Sequence, residues 1–258
     1  MSDFDRNIAA ARTGYRTSQV AIDAGLRAYM IRVYNYMAAG VGLTGVVAWF
    51  AYQAAGGDQI QVIGRQVSGL TSFGHAIFSG PLMWVLVLAP LGLVFALSFG
   101  INRLSAGTAL MLFFLYAGLT GVVFSILLDV YTTDSVVGAF AGAAGVFGGM
   151  AVVGYTTRTD LSRFRGLLFG ALIGLIAASV AFIFTGGSTF NLIIGYAGVL
   201  IFSGLTAYDI QRLKTMQAQG FANAESAEKL AIFGALRLYL DFINLFISLL
   251  RIFGGGRR

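Results

Sequence analysis

The chain has no cysteine, a single histidine and only two prolines in 258 residues, and 11% of those residues are charged. Without cysteine there are no disulfides, iron–sulfur clusters or thiol nucleophiles. The lone His75 has no second histidine nearby, and a zinc site needs three or four N, S or O ligands. No resident metal and no cofactor is expected. Charge this scarce also argues against a soluble domain, in which about a quarter of residues are charged.

What fills the sequence is apolar. Hydrophobic residues make up 57% of it and the mean hydropathy is +0.80. Stretches long enough to cross about 30 Å of hydrocarbon at about 1.5 Å per residue lie near Val33–Gln53, Leu82–Gly100, Ala106–Leu128, Val136–Thr156, Gly166–Thr185, Phe190–Gln211 and Leu230–Ile252. The pattern predicts an all-α membrane protein of seven transmembrane helices. Residues 1–30 read as a polar N-terminal segment and residues 31–258 as the seven-helix domain. The first 28 residues lack an apolar signal-type core, so the first span is expected to serve as an uncleaved anchor. Arg237, Asp241 and Asn244 interrupt the last span. A helix this polar cannot face lipid on all sides, which places it at the centre of the bundle.

The net charge of +6 comes from basic residues at span ends and in short loops. No aromatic–basic platform accompanies them, so nucleic acid is not the expected partner. With the N-terminus in the cytoplasm, only Arg65, Arg251, Arg257 and Arg258 of the 17 basic residues fall on the opposite side. That asymmetry predicts a cytoplasmic N-terminus. The basic tail pulls the other way and leaves open whether the last segment crosses or re-enters.

Small residues recur at helical spacing: Gly166, Gly170 and Gly174, then Gly138 with Gly142 and Gly145 with Gly149. Internal helix packing is the first expectation for them, and contact with another chain the second. Pro81 is expected to start the second span, and Pro90 to kink it by removing a backbone hydrogen bond.

Two carboxylates stand out. Asp209 lies in TAYDIQRLK near the end of the sixth span, and Asp241 lies in LRLYLDFINLFISLLRIFG, inside the seventh. An acid at the centre of a spanning helix costs about 2.5–3.5 kcal/mol on insertion scales and is retained where it is functional. The two spans form an antiparallel hairpin, so the acids can reach similar depth on facing helices. Like charges in contact cannot both ionise cheaply, and one shared proton would clasp the two helices. Its loss would leave repelling carboxylates able to admit a cation. The plainer alternative solvates Asp209 at headgroup level and pairs Asp241 with Arg103 or Arg237.

Enzyme readings fare worse. Ser125 and Ser203 have no histidine at membrane depth to activate them. A retinal Schiff base needs a lysine in the last span, and Lys214 and Lys229 fall in the preceding loop. Tyr208-Asp209 matches half of the intramembrane aspartyl protease signature. The other half requires glycines before the second acid, where Leu238-Tyr239-Leu240-Asp241 stands, and the nearest Pro-Ala-Leu-like run, Ala89-Pro90-Leu91, is in the wrong span. The chain is not expected to be an enzyme.

The pair TAYDIQRLK and ALRLYLDFINLFISLLRIFG resembles the bacterial branch of the Bax inhibitor-1, or transmembrane Bax inhibitor motif, family. The resemblance implies a seven-helix fold with the last helix wrapped by the other six. It also implies a pH-sensitive calcium leak controlled by an aspartate pair, here Asp209 and Asp241. Some members latch that pair with a basic residue after the second span, a place taken here by Arg103 in GINRLSAG. This chain has one basic residue there where those members have a run, and it lacks the acid some carry in the second span.

The reading that results is a passive cation leak, calcium above all, in the bacterial inner membrane, gated by protonation of the aspartates. Two carboxylates offer calcium only weak, transient contact. The alternative is a regulator that binds another membrane protein, such as a protease or quality-control complex, as some bacterial relatives do.

Overall fold

The structure, a computed structural model, describes residues 3–63, 66–78, 80–100, 103–221 and 223–254. Arg65, Arg257 and Arg258, which enter the charge asymmetry, lie outside them. Eight α-helices follow in chain order: α1 (Asp3–Ala55), α2 (Ser72–Phe78), α3 (Pro81–Gly100), α4 (Ala106–Val130), α5 (Thr133–Thr156), α6 (Arg165–Thr185), α7 (Ser188–Ala218) and α8 (Ala224–Phe253). All but the short α2 carry a stretch long and apolar enough to cross a membrane, seven among the described residues. This is an all-α membrane protein.

Local chemistry sets several boundaries. Ser105, Thr132 and Asn223 cap α4, α5 and α8 by accepting from the backbone N–H three residues on. Pro81 opens α3, where its missing N–H costs nothing, and Pro90 sits inside the same helix without ending it. Two helices outrun their apolar stretches. α7 continues to Ala218 and α8 begins at Ala224, because hydropathy marks the lipid-spanning part and not the polar turns beyond it. For the same reason α1 runs unbroken through residue 30, where the sequence suggested a boundary. Between α1 and α2 a two-stranded antiparallel hairpin, β1 (Gln61–Ile63) and β2 (Gln66–Ser68), pairs Val62 with Val67. It is too short for a hydropathy pattern to reveal.

Hydrogen bonds fix which helix ends meet. At one end, the Tyr29 hydroxyl of α1 donates to the Leu230 carbonyl of α8, and Lys214 of α7 donates to the Tyr155 carbonyl of α5. At the other, Ser135 of α5 donates to the Phe253 carbonyl of α8. These are called below the α7–α8 loop end and the hairpin end. At about 1.5 Å per residue, α8 is about 45 Å long. It reaches from one end to the other without a break, so the last segment does not turn back.

The core is built around α8. Within the spanning windows, 67% of α8 is buried and none of α6. Tyr239 packs edge-on against Phe113 and Tyr116 of α4, and Phe242 against Phe140 and Phe147 of α5. Such edge-to-face pairs add about 0.5–1.5 kcal/mol each beyond area burial. The polar last helix is central, as its composition predicts.

The glycines that permit this packing are not the ones the repeats pick out. A methyl on Gly154 would lie 2.4 Å from the Ala207 carbonyl oxygen, where α5 crosses α7, and one on Gly198 would lie 2.2 Å from Ser248 Oγ. Gly166, Gly170 and Gly174 have open space where a Cβ would go. Their stripe is exposed on α6, contrary to the expectation of internal packing.

Candidate functional site

Along α8 the polar residues Arg237, Asp241, Asn244, Ser248 and Arg251 follow the i, i+4, i+7, i+11, i+14 spacing of one helix face. All five line a single cavity of 910 Å³ between α8 and the helices α3, α4, α6 and α7. Asp209 of α7 opens into the same cavity. Both acids are buried, Asp209 at 8% exposure and Asp241 at 6%. The sequence places two acids on facing helices, and the structure puts both on one cavity.

Their partners differ. Arg237 Nη1 donates to Asp209 Oδ1 at 2.9 Å, an ion pair across the α7–α8 interface. Asp241 Oδ2 is buried with no hydrogen-bond partner among the described residues. Asp241 stands one turn beyond Arg237 on α8 and lines the same cavity as Asp209. Arg212, one turn beyond Asp209 on α7, lines a smaller pocket with that acid. The site is therefore two carboxylates with one guanidinium between the helices. An acid pair alone does not describe it.

Two polar side chains on the same face as Asp241 are committed elsewhere. Asn244 Nδ2 donates to the Leu240 carbonyl at 2.8 Å, and Ser248 Oγ to the Asn244 carbonyl at 2.7 Å. The bonds stay within α8. They satisfy donors that would otherwise face apolar walls.

Similarity to known proteins fits this arrangement. Residues 26–258 match the family described as Inhibitor of apoptosis-promoting Bax1. The chain belongs to the Bax inhibitor-1 family. It is 43% identical over 235 residues to the inner membrane protein YbhL of Escherichia coli K12, covering 91% of this chain and 94% of that one. A protein of Deinococcus radiodurans is 43% identical over 236 residues, covering 92% and 94%. One of Caulobacter vibrioides is 38% identical over the full length of both chains.

As a Bax inhibitor-1 protein, the chain departs from the expected latch. Arg103 is exposed in the turn between α3 and α4 and does not line the cavity. The cation that holds Asp209 is Arg237, one turn before Asp241 on α8. Sequence reasoning weighed Arg237 only as a partner for Asp241. The i, i+4 spacing marks the two as neighbours on one face, but an arginine's reach across to α7 leaves no trace in a single segment.

At the α7–α8 loop end, Glu228 joins α8 to α1. It accepts from Arg32 Nη1 at 2.5 Å and from the Tyr36 hydroxyl. This anchor lies about two and a half turns before Arg237 and about three and a half before Asp241 on α8.

Proposed function

We propose that this protein is a passive cation leak, for calcium above all, gated by one proton at the Asp209–Arg237–Asp241 cluster. The observation that carries this reading is Asp241 Oδ2, buried and unpartnered beside an acid already neutralised by Arg237. With a proton on Asp241, the three side chains sum to zero charge, the state a low-dielectric site tolerates best. Removing that proton leaves a net charge of −1 on the three side chains. A cation entering along the polar face of α8 then meets a cluster of opposite charge.

Hard carboxylate oxygens suit calcium. Two carboxylates carry too few oxygens for the six to eight of a tight site, and conduction requires binding weak enough for the ion to leave. The charge asymmetry of the loops supports a cytoplasmic N-terminus. Together with the name of the Escherichia coli relative, it supports the bacterial inner membrane as the location. Calcium flux into proteoliposomes tests the reading. Wild type should respond to pH, and Asp209→Asn and Asp241→Asn should each change the size of the flux and its pH response. Flux from both variants identical to wild type would reject it.

A second reading, as a regulator bound to another membrane protein, draws on the exposed stripe Gly166, Gly170 and Gly174 of α6. Small residues on an open helix face allow close approach by another helix. Because the chain has no cysteine, a Gly170→Cys variant gives a single crosslinking position in native membranes. Failure to trap a specific protein there would remove the support for this reading.

A further inference from the structure

We infer that the cavity beside α8 is also a binding site for an anionic phospholipid, with its phosphate on Arg251 and an acyl chain in the gap between α3 and α6. Two independent features lead to this. Arg251 sits in the last turn of α8, at the hairpin end, and its Nη1 is buried with no hydrogen-bond partner among the described residues. No ion pair among the described residues engages it. A guanidinium offers a fork of N–H donors matched to phosphate oxygens, and one with a buried, unmatched nitrogen and no acid paired to it calls for an anion.

The second feature is the shape and chemistry of the walls. Leu91 of α3 and Ile176 of α6 line the cavity, yet they are 54% and 56% exposed. The cavity is therefore open sideways, at the depth of the spanning helices. A lipid would enter laterally, its chain against those walls and its phosphate at the end of the helix. The 910 Å³ volume is of the size that holds a ligand of several hundred daltons.

Net negative lipid is favoured over zwitterionic lipid by the same observation. Arg251 lacks a carboxylate partner, so a headgroup carrying its own cation would gain a phosphate contact and bring a charge with nothing to meet it. Arg251 is about 15 Å along α8 from Asp241. The lipid site and the proton-sensitive cluster thus occupy opposite ends of one cavity.

Native mass spectrometry of the full chain, titrated with phosphatidylglycerol and separately with phosphatidylcholine, tests this. One phosphatidylglycerol should remain bound to wild type, and Arg251→Gln should lower that occupancy at least fivefold with phosphatidylcholine little affected. Ile176→Trp, which fills the lateral gap without touching the arginine, should reduce binding of both lipids. Equal phosphatidylglycerol occupancy in wild type and both variants would overturn the proposal. So would displacement of the lipid by millimolar inorganic phosphate, since that would mark a site for soluble anions.

Discussion

Arg237 of α8 reaches across to Asp209 of α7 and leaves Asp241, one turn further along its own helix, without a hydrogen-bond partner for Oδ2 among the described residues. Arg237 is thus paired with one buried acid and stands one turn from the other. Breaking a buried ion pair by removing one partner costs about 3–5 kcal/mol, while replacing both partners by apolar groups is often neutral.

That asymmetry gives the first prediction. Arg237→Met and Asp209→Leu should each lower the melting temperature in detergent, and the double variant should recover most of the loss. Thermal unfolding of the four proteins measures the coupling. Additive losses would mean that the pair is not a unit.

The latch makes a second case. Arg237→Gln should alter the pH response of calcium flux, because it removes the one charge that contacts Asp209. Arg103→Gln should leave it as in wild type, since that side chain is exposed and away from the cavity. Proteoliposome flux at several pH values distinguishes the two. The reverse outcome would return the latch to the turn after α3.

Helix packing supplies the third. Gly154→Ala sets a methyl against the backbone of Ala207, which cannot swing aside, and should cost about 1–3 kcal/mol as overpacking does. Gly170→Ala, on the open face of α6, should cost nothing measurable or slightly stabilise through helix propensity. Melting temperatures of the two variants settle the contrast.

These residues also show how far the sequence could be read. Hydropathy located all seven spans and the polarity of α8 placed it centrally, because both are properties of a single segment set against lipid. Asp209 and Asp241 were legible for the same reason: a charge at membrane depth is conspicuous wherever it points. The choice of Arg237 for Asp209 was not legible, since it depends on how α7 and α8 face each other. Gly154 and Gly198 stayed hidden as well. Their importance lies in which backbone or side chain approaches them, and the regular glycine spacing on α6 drew attention to a face left open among the described residues. The hairpin between α1 and α2 and the polar extensions of α1, α7 and α8 lie outside what an apolar window can register.

A pH effect independent of the ion pathway is expected in the loop before α6. Asp160 is held below the usual carboxylate range, chiefly by hydrogen bonds from the Ser162 side chain and backbone. The Ser162 N–H donates to Asp160 Oδ1 at 2.9 Å. A lowered folded-state value means the contact stabilises the turn above about pH 4, the ordinary aspartate value, and is lost as pH falls through the folded value. Amide exchange at Ser162, corrected for its intrinsic pH dependence, should speed up on acidification in wild type. Asp160→Asn, which keeps an acceptor but cannot titrate, should show no such change. Equal pH responses in the two proteins would count against the assignment.

The most direct test of the gate follows the proton itself. Infrared difference spectra of reconstituted protein, recorded across a pH titration beside calcium flux on the same vesicles, report the carbonyl stretch of a protonated carboxyl. The proposal predicts a protonated-carboxyl band that disappears over the same pH interval in which flux rises, and that is missing in Asp241→Asn. A band unaffected by that substitution, or flux that changes in an interval where no carboxyl titrates, would contradict it.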